Sequence, residues 1–522
     1  MDLLETEIPS DSESIDGLVD SDTGEDDLID EVNITNTSQM NIENYIDNEN
    51  VTDDEEIDNN DDGSWKNRGC PGINIPFTKN SGPNIPDRAV SPLEIFFCIF
   101  PPELVDLLVN QTNLYVNQKY ALSTNRKKKK IEPVTNEEIR IFLGINLLMG
   151  IKKLPSYRDY WSLNNQLKDP YISSAMTVNR FGFLLQNLHL NDNTKEPNRN
   201  HPSYDKLFKI RPLLDTLSTT FHDCWKPKEN QSVDESMVKF KGRSSMKQYM
   251  PNKPIKRGYK IWVRADETGF VSQFQMYTGK EKRNKEDNLG KRVVIDLTRD
   301  LVGNFHRVYF DNFFTSQKLM VSLKNDNVIA CGTVRKNRKG LPKYYLPDNK
   351  MKRGDIEFRS CSSGVSWVKW MDNRAVYCLS NFHDTTEISD VNRRNKDGSI
   401  STIRSPKMIA DYNKHMGYVD KADMLKSLYE IDRKSKRWWL RIFWHFLDVS
   451  VTNAFILYQA KNGSTMTLKK FRLEVVDGLI GSNIATKKGR KSLPSTFTGH
   501  KAHISDAKRF CPAPHLPTIL PN

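Results

Sequence analysis

The spacing of apolar residues changes twice along this chain, and the changes restrict it to folds that join helices to a sheet. From Ser91 the pattern is helical. Ser91 and Glu94 fit a capping box, with Pro92 at the first helical position. Pro101 and Pro102 end that segment and open the next. Thr135 and Glu138 repeat the capping pattern ahead of Ile139, Phe142, Leu143 and Ile145. Leu207, Ile210, Leu213, Leu214, Leu217 and Phe221 recur at helical spacing. Residues 91–228 are therefore predicted to form a mainly helical domain.

The pattern then turns to strands. Ser232–Phe240, Tyr259–Ala265, Phe270–Tyr277, Arg307–Asp311 and Asn327–Val334 are rich in β-branched and aromatic residues and are separated by turn signals such as Thr268-Gly269. Shorter runs follow at Val365–Trp370 and Ala375–Ser380. Helical spacing returns after Ser405-Pro406, with a stripe of Trp439, Ile442, Phe443, Phe446 and Val449. No repeat at solenoid periods is present.

Charge is distributed unevenly. Residues 1–62 hold 23 Asp and Glu and no Lys or Arg. Low hydrophobicity with high net charge cannot offset the entropy of ordering, so residues 1–65 are expected to be a disordered acidic tail. Residues 66–90 read as a Pro/Gly/Asn linker. Residues 63–522 keep all 77 basic residues against 43 acidic ones, about +34, which is the footprint of a polyanion binder. The seven cysteines form no CxxC pair. An odd number in a long chain fits reduced thiols in a cytosolic or nuclear setting. The N-terminus lacks the apolar core of a secretion signal, and no apolar run approaches bilayer-spanning length.

Four acids stand out by context. Asp234 lies in Ser232-Val-Asp-Glu-Ser at the start of a strand. Asp311 ends the apolar strand Val308-Tyr-Phe-Asp. Asp420 and Asp423 are three apart on a predicted helix, on one face. Carboxylates from strand ends and a facing helix can converge, and would then repel one another unless cations neutralise them. Mg2+ takes one or two carboxylates together with waters and phosphate oxygens. Two such ions activate an attacking hydroxyl and stabilise the leaving oxygen at phosphorus. Spacing alone fits ordinary strand-end and helix-surface acids equally well.

The segments around these acids resemble the piggyBac transposase family. Ser232-Val-Asp-Glu-Ser-Met-Val-Lys-Phe-Lys-Gly-Arg243 resembles the block around the family's first catalytic aspartate, and Tyr249-Met-Pro-Asn-Lys-Pro-Ile-Lys-Arg-Gly-Tyr-Lys260 the segment after it. Tyr309-Phe-Asp-Asn-Phe-Phe-Thr-Ser316 is similar to the second-aspartate block, and Gly332-Thr-Val-Arg-Lys-Asn-Arg338 to the next strand and its basic loop. Tyr412-Asn-Lys-His-Met-Gly-Tyr-Val-Asp-Lys-Ala-Asp-Met424 resembles the third-aspartate block, and Lys434-Ser-Lys-Arg-Trp-Trp439 the helix that follows. The six blocks keep the family's order over roughly residues 91–460.

The resemblance implies an α/β fold with an RNase H-like core, the DDE transposase type. The core would comprise residues 229–334 and 406–462, interrupted by a β-rich insertion at 335–405. Asp234, Asp311 and Asp420 would be catalytic and would bind Mg2+ or Mn2+, two ions in all, with Asp423 as a further metal-binding acid. The implied reaction is metal-dependent cleavage of transposon ends. The freed 3′ hydroxyl forms a hairpin that is opened, and the end is joined at a TTAA target. The implied partners are double-stranded DNA and a second copy of the chain. Neither a small-molecule substrate nor a membrane is implied. A domesticated relative that binds DNA or chromatin without transposing would carry the same blocks, and a plain RNase H-like nuclease would not carry all six.

Lys239, Lys241 and Arg243 follow the first aspartate, and Arg335, Lys336 and Arg338 follow a later strand. Both groups fit phosphate contacts that position DNA without reading its sequence, or simply exposed strand-end cations. Trp438 and Trp439 fit base stacking or core packing. The basic runs 126–130 and 487–491 fit nuclear localisation signals or solvated loops, and nuclear residence follows from the implied substrate. Many family members end in a cysteine-rich zinc module. Residues 463–522 are basic and contain only Cys511, near His500, His503 and His515, so a degenerate tail without a zinc site is expected. The acidic tail has the charge to fold back over a basic channel and compete with DNA.

Overall fold

The computed structural model describes residues 65–121, 132–251, 253–279, 288–395 and 397–481. The acidic tail up to residue 64, both basic runs, and Cys511 with its neighbouring histidines lie outside the described residues.

Two short strands, β1 (Trp65–Lys66) and β2 (Gly82–Pro83), precede the first helix. Ser91 then caps α1 (Pro92–Ile99) with the complete capping box, its hydroxyl accepting from Glu94 N–H. After α2 (Pro102–Ala121), Thr135 and Glu138 make the same box for α3 (Asn136–Ile151). Each such cap contributes about 1 kcal/mol by satisfying N–H groups that the helix itself cannot. Short helices α4 (Pro170–Ala175) and α5 (Val178–Asn187) follow. The last helix of this half, α6 (Arg211–Asp223), begins later than the apolar spacing suggested. Pro212 lies in its first turn, where its ring would clash with a helix continuing upstream. Leu207 and Ile210 are buried in the turns before it.

The sheet section matches the predicted strands within a few residues. After β3 (Trp225–Lys226) come β4 (Asn230–Lys239), β5 (Gln248–Tyr249), β6 (Arg257–Asp266) and β7 (Val271–Met276). Helix α7 (Leu289–Leu297) leads to β8 (Arg307–Phe310), and α8 (Gln317–Asn325) to β9 (Ile329–Thr333). Then follow β10 (Ile356–Cys361), β11 (Ser366–Met371), β12 (Ala375–Ser380), and the hairpin of β13 (Ile388–Arg394) with β14 (Ile400–Pro406). The chain closes with α9 (Lys407–His415), α10 (Tyr418–Ser427), α11 (Trp438–Asn462) and α12 (Leu468–Ile480).

Ten strands make one sheet in the order β1-β10-β11-β12-β9-β8-β4-β6-β5, with β7 also paired to β6. Strands β4, β8 and β9 are parallel neighbours, and the other pairs are antiparallel. Parallel strands are buried on both faces. Accordingly β4 is buried from Gln231 to Val238. On one face Val233, Trp262 and Phe310 pack under Val293 and Val294 of α7 and Leu319 and Met320 of α8. On the other, Tyr259, Ile261 and Val263 pack under α10 and α11. This α/β architecture is the RNase H-like class that the resemblance implied.

Four differences from the sequence reading have physical causes. Residues 66–90, read as a linker, contribute strands: β1 lies on β10 and β2 on β3. The 335–405 segment, read as a β-rich insertion interrupting the core, is β-rich and continuous with the core's sheet, because β12 pairs with β9 and carries β10 and β11 into it. The region from 463 is not all tail, since α12 buries Phe471, Val475, Val476 and Leu479 against α3. Finally, α11 is long and apolar enough to cross a membrane, with a mean hydropathy of 1.2 in its best window. That window is wholly buried by protein, so α11 is a core post on which α1 and α12 pack.

An ion pair anchors α12 to that post. Arg472 donates to Asp448 at 2.8 Å and to Leu147 O at 3.0 Å, while Asp448 also accepts Ile431 N–H at 2.7 Å. Both side chains are almost fully buried. Truncating one partner strands the other charge, a loss of about 3–5 kcal/mol. Arg472→Ala is therefore expected to lower unfolding free energy by about that amount in urea denaturation. Replacing both residues with apolar side chains should cost less than this single change.

Candidate active site

Parallel pairing brings the first two acids together. In β4 and β8, Val233 lies opposite Phe310, so the next residues, Asp234 and Asp311, stand side by side on adjacent strands. Asp311 sits just past the C-terminal end of β8, the end at which open α/β sheets bind their ligands. The turn after it is tightly fixed. Asp311 accepts Phe313 N–H at 2.9 Å, and its carbonyl accepts the Thr315 hydroxyl at 2.7 Å. Arg338 donates to the carbonyls of Asn312 and Phe313 at 2.7 and 2.9 Å, and Arg335 to the Asn312 side chain at 3.2 Å. Gly332 makes this closeness possible, because a Cβ there would collide with Thr315 Oγ1 and Phe310 O.

The third and fourth acids come from α10, which packs across β4 and β6. Asp420 is in its first turn, where the helix dipole favours negative charge. Asp423, one turn later, accepts the Ser236 hydroxyl at 2.7 Å. Ser236 is two residues after Asp234 and so on the same face of β4. That bond ties α10 to the face of β4 that carries Asp234.

Burial sets the electrostatics. Asp234 is pushed from the ordinary 3.8 up to about 8, first by loss of water and then by the charges of Asp311, Asp420 and Glu235, with Lys253 opposing. Asp311 rises to about 6, again chiefly by burial, with Glu235 adding to it. Asp420 and Asp423 are also raised by burial. Such a group holds protons that it would give up to a cation. Among the described residues, no three His, Cys, Asp or Glu side chains stand close enough to hold an ion between them. The donor set fits a hard cation bound by one or two carboxylates, with its remaining positions open to water and phosphate oxygens. One or two of Asp234, Asp311 and Asp420 at a time are the carboxylates such a cation would meet, with Asp423 beside them.

Lys253, Glu235, Lys260 and Tyr412 belong to the site and were not singled out by sequence reasoning. The Lys253 ammonium lies 4.0 Å from Asp234. Glu235 forms a buried ion pair with Lys260, whose ammonium lies 4.6 Å from the Phe313 ring centroid. Loss of water, and then the charges of Asp311 and Asp234, hold the half-buried Tyr412 phenol protonated. Glu235 had a legible signal: a second charge on a strand buried on both faces demands a partner. For a loop lysine that reaches back to the strand there was none.

The suggested cationic contacts divide. Lys241, Arg243 and Lys336 are exposed. Lys239 pairs with Asp432 at 3.3 Å, and Arg335 and Arg338 brace the Asp311 turn. Trp439 is buried and Trp438 packs against the same core, so neither is an open stacking platform.

A family model described as Transposase IS4 matches residues 91–455, a span that contains all four acids. The chain belongs to the piggyBac transposase family. Human PiggyBac transposable element-derived protein 3 is 30% identical over 402 residues, which are 74% of this chain and 64% of that protein, somewhat less than two thirds of its length. Human PiggyBac transposable element-derived protein 2 is 26% identical over 426 residues, covering 79% and 70% respectively. The cryo-EM structure of a piggyBac transposase synaptic complex with hairpin DNA superposes with a TM-score of 0.68 at 24% identity, over 80% of this chain and 86% of that one. The piggyBac fold is thus shared across most of the described chain. Helix α12 lies beyond the family-model match.

The raised acids predict a pH signature. A carboxyl whose folded pKa is raised contributes stability that is fully present below its unfolded value and is lost as pH rises through its folded value. For Asp234 that window runs from 3.8 to about 8. In chelator, the melting temperature is expected to fall as pH rises from about 4 to about 8, and Asp234→Asn should flatten that fall. A divalent cation should restore stability most strongly at the alkaline end, because there it displaces no proton. An identical thermal shift with and without Mg2+ at every pH would contradict this.

Proposed function

We propose that the chain is a DNA-cleaving and DNA-joining transposase whose centre is Asp234, Asp311 and Asp420, with Asp423 as a supporting acid. The observation that supports this reading is the convergence of acids from β4, β8 and α10, Asp234 buried and Asp311 and Asp420 half-buried, each with its proton affinity raised chiefly by loss of water. Two divalent ions, Mg2+ or Mn2+, would supply Lewis-acid activation of the attacking and leaving oxygens. The protein's part is orientation. Arg335, Arg338 and Thr315 fix the Asp311 turn, and Ser236 ties Asp423 to β4. Hydrolytic nicking, hairpin formation by a 3′ hydroxyl, hairpin opening and joining at TTAA are all attacks of oxygen on phosphorus. One arrangement of side chains serves every step, and no covalent protein nucleophile is needed.

The substrate would be double-stranded DNA at transposon ends, with nuclear residence and a homodimer that synapses two ends. Lys241, Arg243 and Lys336 would contact phosphates, and their exposure supports this. The name of the human relatives, "transposable element-derived", supports a second reading: a domesticated protein that retains DNA binding without transposition.

Nicking of duplex DNA carrying the flanking terminal repeats separates the two. The wild-type chain with Mg2+ is expected to nick, and Asp311→Ala to lose that activity by two or more orders of magnitude. Equal activity in both, or none in either, would reject the enzyme. Binding gives an independent measure. Lys241→Gln with Arg243→Gln should weaken DNA binding across all sequences and flatten the salt dependence, by about 0.9 in log–log slope for each phosphate no longer neutralised.

A further inference from the structure

The loop that leaves the C-terminal end of β9 does more than brace the Asp311 turn. Residues 335–353 carry eight Lys and Arg against one acid, Asp348. Midway, between Pro342 and Pro347, the chain is held from below. Lys369 of β11 has a fully buried side chain. Its ammonium donates to Leu346 O at 2.6 Å and pairs with Asp348 at 2.6 Å, with the Tyr345 ring centroid 4.9 Å away. A buried ammonium is costly unless it is paired in this way, so the loop and the lysine hold each other in place. Leu346 N–H donates to Glu357 at 2.8 Å, and Tyr344 O accepts from Arg359 at 3.2 Å. Tyr345 turns inward onto Trp367 and Tyr377. Its neighbours turn outward. Tyr344 is 86% exposed, the most exposed aromatic among the described residues, and Leu346 is 50% exposed.

We propose that this clasped loop is a binding site for unpaired DNA, with Tyr344 stacking on one base and Lys343 contacting a phosphate beside it. The inference rests on the DNA-binding part of the proposed function and not on its metal chemistry. Charge selects a polyanion: Lys336, Lys343, Lys350 and Lys352 are all exposed, and the one acid, Asp348, is paired with Lys369. The aromatic ring selects a base, because every base offers a π face and stacking needs no particular sequence. In a duplex that face is covered by the neighbouring bases, so a ring on a loop meets it where strands are separated. Pinning matters as well, since a side chain on an ordered segment loses little freedom on binding. The loop also begins beside the acids, because Phe310 of β8 pairs with Gly332 of β9. Tyr344 follows six residues after Arg338, which touches the Asp311 turn, so the two lie no more than about 22 Å apart.

The experiment is fluorescence-anisotropy titration of the full chain, in chelator, with two labelled single strands of equal length. One is a thymidine oligonucleotide and the other an abasic strand, which has the same phosphates and no bases. Wild type is expected to prefer the thymidine strand by about fivefold or more. Tyr344→Ala should bind that strand about fivefold more weakly, bind the abasic strand unchanged, and keep the wild-type salt dependence, since no charge is lost. Tyr344→Phe keeps the ring and should bind as wild type does. Lys343→Gln should weaken both strands alike and lower the log–log salt slope by about 0.7. An unaltered base preference in Tyr344→Ala, or its loss in Tyr344→Phe, would overturn the stacking. So would a changed oligomeric state of Tyr344→Ala in analytical ultracentrifugation, which would make the loop a contact between copies of the chain. If wild type binds neither single strands nor duplex, the DNA-binding reading fails and this site with it. Duplex binding with no base preference on single strands rejects this site alone.

Discussion

Crowding carboxylates around one buried acid, Asp234, at the centre of a sheet is the constraint on which the rest of this structure depends. Burial takes bulk water away, so each negative charge must be balanced locally or remain protonated. The fold answers with fixed geometry. Parallel pairing of β4 and β8 aligns Asp234 with Asp311, and α10 delivers two further acids from above. Arg335 and Arg338, basic residues of the kind usually assigned to DNA, hold the turn that aims Asp311. A rigid frame around mutually repelling groups stores a strong preference for cations, and that preference is the chemical capacity of the site.

The helical half and the sheet half are not independent bodies. Helices α1 and α3 pack with α11 and α12, and α6 packs on β7. One continuous core contains residues from Ala89 to Ile480. The sheet that presents the acids is thereby clamped by helices from both ends of the sequence.

Much of the architecture was legible because its signals are local. The Ser91 and Thr135 capping boxes, the β-branched runs, and Asp420 with Asp423 on one helical face all depend on residues within a few positions of each other. What stayed hidden depends on distant partners. The edge strand Trp65–Lys66 is too short to show a period and exists because β10 offers it hydrogen bonds. The β13–β14 hairpin alternates polar residues without an apolar face to betray it. Lys253 gains meaning only from Asp234, which it reaches across the fold. The start of α6 followed from one proline, Pro212, overriding an apolar pattern that ran smoothly through it.

The burial of α11 has a consequence for how the molecule is made. This post is contacted by α1, encoded near the beginning of the core, and by α12, encoded at its end. During synthesis the early helices therefore emerge with their apolar faces uncovered, several hundred residues before their partner exists. Local helices form quickly, but contacts this distant in sequence close slowly. A nascent chain of this kind stays sticky until translation is nearly finished, and so depends on chaperones for longer than a protein whose halves fold in turn.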